Sequence, residues 1–199
     1  MTTYKKLNKI YSTNQKFFTT KDLRDVLEIN NRRTFEQTVK RLEEENILTK
    51  IERGKYLKTN SNYEKFEIAQ FIYNPSYISF ETALSYYGLI NQLSFEITSA
   101  TPKKGVEKEF EGQLYSYQHM QKELYIGFKK EEEYLIALPE KAIFDQIYIS
   151  ITGNKSENII KEIEKDSFDI DKVLQYIKPL SINYKKAVKN KIYKIFNVN

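Results

Sequence analysis

Arg33, Gln37 and Lys40 recur at i, i+4 and i+7, which places three hydrogen-bond donors along one side of a helix, with Thr34 and Arg41 flanking them. Such a row suits phosphate oxygens and base edges. On the opposite side Phe35, Val39 and Leu42 share a face, so burying them turns the donors outward. A second basic cluster follows at Lys50, Arg53 and Lys55, within Leu48–Lys58, where β-branched and aromatic residues surround a tip containing Gly54 in the manner of a hairpin. Arg32 beside Arg33, and Thr20 and Lys21 in the segment before, complete the set of candidate DNA-contacting residues.

The elements that must hold these side chains are marked in the sequence. Thr19 at an N-cap position with Asp22 three residues on suits a capping box, and Phe18 with Leu23 suits a hydrophobic staple, so a helix is expected from Thr20 to about Glu28. After the turn Ile29-Asn30-Asn31 the donor-bearing helix runs to Asn46, a residue able to take the left-handed conformation, with Ile47 behind it for the apolar contact of a Schellman ending. Two helices and a basic hairpin in that order within about forty residues read as a winged helix-turn-helix. In that arrangement the second helix enters the major groove and the hairpin touches flanking backbone or minor groove, which makes double-stranded DNA the expected partner.

Charge divides the chain in the same place. Residues 1–60 hold 14 Lys and Arg against 8 Asp and Glu, a net charge of +6, whereas residues 61–199 hold 18 against 19, a net charge of −1. With the polar stretch Thr59-Asn60-Ser61-Asn62 at the boundary, a DNA-binding domain is expected over 1–60 and a larger regulatory domain over 61–199. Residues 185–199 contain five lysines and no acid, leaving 61–184 at −6. Lys185, Lys186 and Lys189, with Lys103 and Lys104, form a candidate second basic surface.

The larger part reads as α+β. A helix is expected over Glu64–Tyr73, stopped before Asn74-Pro75, and a short one after Ser79 as N-cap, ended by Gly88. Strands are expected over Ser94–Thr98, Gln113–Gln118, Leu124–Lys129 and Tyr134–Ala137, making a mostly antiparallel sheet. Pro139 suits the first helical position, with Glu140 at the positive end of the dipole and Ala142, Ile143, Ile147 and Tyr148 as the apolar face. Three further helices are expected over Asn154–Lys165, Asp169–Lys178 and Ser181–Phe196.

Several classes of chemistry are disfavoured. The chain has no cysteine, which removes disulfides, zinc fingers and thiol nucleophiles, and the single His119 removes two-histidine metal motifs. Glu140 and Asp145 lie about 140° apart around a helix, so they do not converge on one centre and read as solvated or salt-bridged carboxylates. His119 reads as a surface or satisfied histidine and Glu131-Glu132-Glu133 as an exposed turn. No phosphate-binding glycine loop, metalloprotease pair or nucleophile elbow occurs, so no catalysis, no cofactor and no metal are expected. Met1–Lys16 lacks an uninterrupted apolar run and no stretch approaches eighteen apolar residues, which gives the expectation of a cytoplasmic protein without a membrane partner.

The segment Asn74-Pro75-Ser76-Tyr77-Ile78-Ser79-Phe80-Glu81-Thr82-Ala83-Leu84-Ser85-Tyr86-Tyr87-Gly88-Leu89-Ile90 resembles the AbiEi-like antitoxin family, the regulator half of abortive-infection type E systems, grouped as type IV toxin–antitoxin modules. Ile97-Thr98-Ser99-Ala100-Thr101, Tyr115-Ser116-Tyr117 and Ala137-Leu138-Pro139-Glu140-Lys141-Ala142 follow in the order that family shows, so the resemblance spans most of Phe17 to Tyr148. It implies an autorepressor that binds inverted repeats in its own promoter and opposes a nucleotidyltransferase-like toxin encoded beside it. A regulator whose C-terminal domain sequesters a partner protein or senses a ligand is the alternative. A nuclease with a DNA-reading domain is a third reading, without a clustered acidic motif to carry it.

Overall fold

The structure is a computed structural model that describes residues 3–91, 95–152 and 158–197, and the chain divides into two compact units, Met1–Glu64 and Lys65–Asn199.

In the first unit the order is α1 (Thr3–Tyr11), β1 (Phe17–Thr19), α2 (Thr20–Leu27), α3 (Arg32–Glu44), β2 (Leu48–Glu52) and β3 (Lys55–Lys58). The strands form an antiparallel sheet in the order β1-β3-β2, with Phe18 opposite Tyr56. Thr19 caps α2 through a complete capping box: its hydroxyl accepts from the Asp22 N–H at 3.2 Å, and its own N–H donates to Asp22 Oδ2 at 2.8 Å. Asn31 caps α3, its Oδ1 accepting from the Thr34 N–H at 3.0 Å. The far end of α3 is a Schellman motif, with Asn46 at φ 54°, the Ile47 N–H donating to the Leu42 carbonyl and the Asn46 N–H to that of Glu43. Ile10, Phe18, Leu23, Leu27, Phe35, Val39, Leu42, Ile47, Leu48 and Tyr56 make one core. α1 and β1 have no counterpart in the sequence reading; Ile10 carries α1 into that core and Phe18 carries β1.

The second unit is built on a six-stranded sheet in the order β6-β7-β5-β4-β9-β8, formed by β4 (Tyr77–Ile78), β5 (Glu96–Thr101), β6 (Val106–Phe110), β7 (Gln113–His119), β8 (Phe128–Glu131) and β9 (Tyr134–Ala137). The β5/β7 and β4/β9 pairs are parallel and the other three antiparallel, so the protein is α+β with mostly antiparallel pairing. The helices are α4 (Lys65–Ile72), α5 (Phe80–Tyr86), α6 (Pro139–Thr152), α7 (Ile170–Gln175) and α8 (Ile182–Phe196). α6 packs against α5, α7, α8 and β9, and Lys141 to Ile149 are all buried.

Four local expectations are corrected. Leu124–Lys129 is not a strand: a 3-10 turn at Lys122–Leu124 precedes Gly127 at φ +75°, and the strand begins at Phe128, paired with Ala137. Glu131 belongs to that strand, so the turn is confined to Glu132 and Glu133. The described part of Asn154–Lys165 is not an α-helix but a 3-10 turn, Asn158–Glu162, with a second at Lys165–Ser167; Ile160 and Ile163, three apart and both buried, fit the threefold period. Residues 154–157 and Ser94 lie outside the described residues. Ser79 occupies the N-cap position of α5 but makes no capping bond, because its hydroxyl is used elsewhere.

Candidate nucleic-acid interface

Burial of Phe35, Val39 and Leu42 sets the rotation of α3, and Arg33, Gln37 and Lys40 are exposed on its other side together with Arg32, Thr34 and Arg41. Within this set the side chains divide sharply. Arg32 pairs with Glu36 at 2.8 Å, Lys40 with Glu44 at 3.7 Å and Arg41 with Glu45 at 2.8 Å, each one helical turn on. The Glu36 hydrogen bond, and then its charge, raises Arg32 further above its ordinary value. Exposed pairs of this kind are weak and salt-screened, so a phosphate can displace the carboxylate. Arg33 and Gln37 have no side-chain partner among the described residues. The Thr34 hydroxyl donates to Asn31 Oδ1 at 3.1 Å, so its proton is committed to the helix cap.

The hairpin repeats the division. Lys55 pairs with Glu52 at 2.9 Å, whereas Lys50 and Arg53 are exposed without a side-chain partner among the described residues, as is Lys21 on α2. Thr20 faces inward to the hairpin tip. Its N–H donates to the Gly54 carbonyl at 2.9 Å and its hydroxyl approaches the same oxygen at 3.4 Å, so it pins the tip to the start of α2. Arg24, which the sequence reading did not single out, braces the turn between the two helices: its guanidinium donates to the carbonyls of Ile29 at 3.3 Å and Asn30 at 3.2 Å and lies 4.2 Å from the centre of the Phe35 ring. A basic residue in the last turn of a helix, where carbonyls lack partners, is the signal that marks it.

In the second unit Lys103 and Lys104 are exposed, and the Lys103 ammonium donates to the Asn74 carbonyl at 2.6 Å. Lys186 and Lys189 are exposed on α8 and Lys185 is half-buried, with the Lys189 ammonium 5.2 Å from the Tyr193 ring centre. His119 is exposed, with Nδ1 2.8 Å from the Lys103 carbonyl oxygen.

No known protein family and no curated protein matches this sequence. Among solved structures the chain is similar to the crystal structure of Rv2827c protein from Mycobacterium tuberculosis, at 10% identity and a TM-score of 0.63, over 96% of this chain and 74% of the other. At that identity the likeness concerns the fold.

A different constellation lies beneath the surface. Asp145 accepts at Oδ2 from the Tyr77 hydroxyl at 2.9 Å and the Ser79 hydroxyl at 2.7 Å, and it forms an ion pair with Lys141, one turn earlier on α6. The Lys141 ammonium also donates to the Tyr77 oxygen at 2.9 Å and sits 5.1 to 5.6 Å from the ring centres of Phe144, Tyr77 and Tyr176. All four polar residues are sealed from solvent. Burial pushes the Asp145 carboxyl up and the Lys141 ammonium down, each opposed by the partner's charge. Asp145 is therefore the salt-bridged carboxylate of the two readings and not the solvated one. Serine, tyrosine, lysine and aspartate together are groups able to move protons, and here they hydrogen-bond one another in the interior. Among the described residues no group of three or more His, Asp or Glu is placed to hold a metal ion, and no helix is long and apolar enough to cross a membrane.

Proposed function

We propose that this protein is a DNA-binding autorepressor and antitoxin, with residues 1–64 acting as a winged helix-turn-helix. The observation that carries the DNA-binding half is the element order α1-β1-α2-α3-β2-β3 with strands paired β1-β3-β2, which leaves Arg33 and Gln37 on the outer face of α3 with no competing partner among the described residues. In this reading Arg33 and Gln37 meet base edges in the major groove, while Lys21, Lys50 and Arg53 meet phosphates. Arg32, Lys40 and Arg41 exchange their glutamates for phosphates on docking.

The antitoxin half rests on the resemblance of Asn74–Ile90 and Ala137–Ala142 to the AbiEi-like family. Its physical support is that these two stretches meet: Tyr77 and Ser79 from the first bind Lys141 in the second and Asp145 just after it. The partners are then operator DNA with inverted repeats and a nucleotidyltransferase-like toxin, and the protein works in the cytoplasm without catalysis, metal or cofactor.

Fluorescence anisotropy of the full chain on its own upstream DNA and on a scrambled duplex, across a salt series with magnesium present, tests the first half. A preference of about a thousandfold with the DNA left intact is expected; equal weak binding to both would remove the repressor reading. Co-expression with the protein encoded beside it, which this reading expects to be a growth-arresting nucleotidyltransferase-like toxin, tests the second, and growth that is not restored would reject it.

A further inference from the structure

The outer face of α3 carries one acceptor among its donors. Arg33, Glu36, Gln37 and Lys40 stand at i, i+3, i+4 and i+7, so the Glu36 carboxylate shares the outward stripe with the three donors, and all four residues are exposed. Arg32 is the only polar partner of Glu36 among the described residues: its Nε donates to Glu36 Oε1 at 2.8 Å, and Oε2 makes no hydrogen bond.

When Arg32 exchanges this pair for a phosphate, Glu36 is left charged beside a polyanion, which costs affinity on every sequence that offers it no donor. The major groove offers few. Guanine presents two acceptors there, and thymine an acceptor beside a methyl group. Adenine presents an amino donor next to the N7 acceptor, and cytosine presents the N4 amino group with no acceptor beside it. Glu44 and Glu45 face the same loss at Lys40 and Arg41, but they stand at the far end of α3, and it is the N-terminal part of a recognition helix that reaches base edges. We propose, on the reading of α3 as the helix that enters the groove, that Glu36 is a specificity-determining residue which accepts a hydrogen bond from the N4 amino group of a cytosine. Residues three apart on a helix have Cβ atoms about 5 to 6 Å apart, and bases stack at about 3.4 Å, so this cytosine lies within about two base pairs of the pair that Arg33 reads.

The test is fluorescence anisotropy of the full chain and of its Glu36→Ala variant on three kinds of duplex: the upstream DNA, a scrambled sequence, and upstream DNA with each base pair of the bound site replaced singly. The unsubstituted protein should lose about fivefold or more in affinity when one cytosine of each repeat is replaced. It should lose as much when that cytosine is N4-methylated, which keeps the Watson–Crick pair but puts a methyl group where the groove-facing amino proton was. Glu36→Ala should be indifferent to both changes while keeping its preferences at the other positions. It should also bind the scrambled duplex more tightly than the unsubstituted protein, because a negative charge has left the interface. Alanine is the best helix former and Glu36 is exposed, so circular dichroism melts that match the unsubstituted protein are expected and establish that the variant is folded. A gain of equal size on upstream and scrambled DNA, or sensitivity to the N4-methyl group that survives the substitution, would overturn the proposal and leave α3 in the groove. A preference for adenine lost in place of one for cytosine would overturn the base assignment. Equal binding of the unsubstituted protein to upstream and scrambled DNA would remove the DNA reading itself, and Glu36 with it.

Discussion

Asp145 and Lys141 form an ion pair sealed from solvent, one turn apart on α6. Glu140 and Asp145 attract attention as carboxylates, yet the partner of Asp145 is Lys141, one turn away on a helix buried all round. Such a helix has no polar face from which to read burial, so nothing local separates a solvated i, i+4 pair from a sealed one. The energetic consequence is specific. Removing one member leaves the other charged and unpaired in the interior, so Lys141→Met should cost about 3 to 5 kcal/mol, and Asp145→Leu a similar amount. The double variant should cost clearly less than the two single costs together, because it leaves no orphan charge. Urea denaturation of the three variants checks this, and additive losses would show that the pair is not coupled. At the surface, the same scale separates two kinds of donor. Arg33→Ala or Gln37→Ala should lose about 1 to 3 kcal/mol of preference for operator over scrambled DNA, whereas Lys50→Ala should weaken both duplexes alike. Equal losses on both duplexes for all three variants would remove the base-reading role from α3.

Elements whose boundaries are set by nearest neighbours were legible, and those set by distant packing were not. The capping box at Thr19 and Asp22, the left-handed Asn46 with Ile47, and Gly88 at the end of α5 are each specified by adjacent side chains, and each is formed as read. α1 and β1 were missed because their anchors, Ile10 and Phe18, matter only once α2, α3 and β3 enclose them. The strand expected at Leu124 failed for a related reason: Gly127 breaks the run, and the pairing of Phe128 with Ala137 fixes the true start. The hairpin tip combines both influences. Gly54 has φ +79°, and a Cβ there would lie 3.0 Å from the Thr20 hydroxyl oxygen, the atom that helps pin the tip. Gly54→Ala should therefore cost about 1 to 2 kcal/mol from the backbone conformation alone. It should also loosen the hairpin relative to α2, readable as faster hydrogen exchange at the Thr20 amide. An unchanged amide would show that the Thr20–Gly54 bond does not hold the tip.

Across the whole molecule, positive charge is concentrated in two stretches of the chain. Residues 1–60 carry +6, residues 61–184 carry −6, and the final fifteen residues carry five lysines without an acid. The simplest account would pool both basic ends into one DNA footprint. The structure gives them different surroundings. In the first unit the exposed Lys21, Lys50 and Arg53 have no side-chain partners among the described residues, and they flank an outward row of donors. On α8, Lys191 and Lys194 line a cleft together with Lys161. Counterion release offers a way to separate the roles, because each phosphate contact contributes about 0.9 to the slope of log K against log salt. The triple substitution Lys21→Ala, Lys50→Ala and Arg53→Ala should reduce that slope by about 3 on operator DNA. The triple substitution Lys185→Ala, Lys186→Ala and Lys189→Ala removes the same charge and should leave the slope unchanged. Equal reductions would mean that α8 also lies on DNA, and the division of labour between the two basic ends would be wrong.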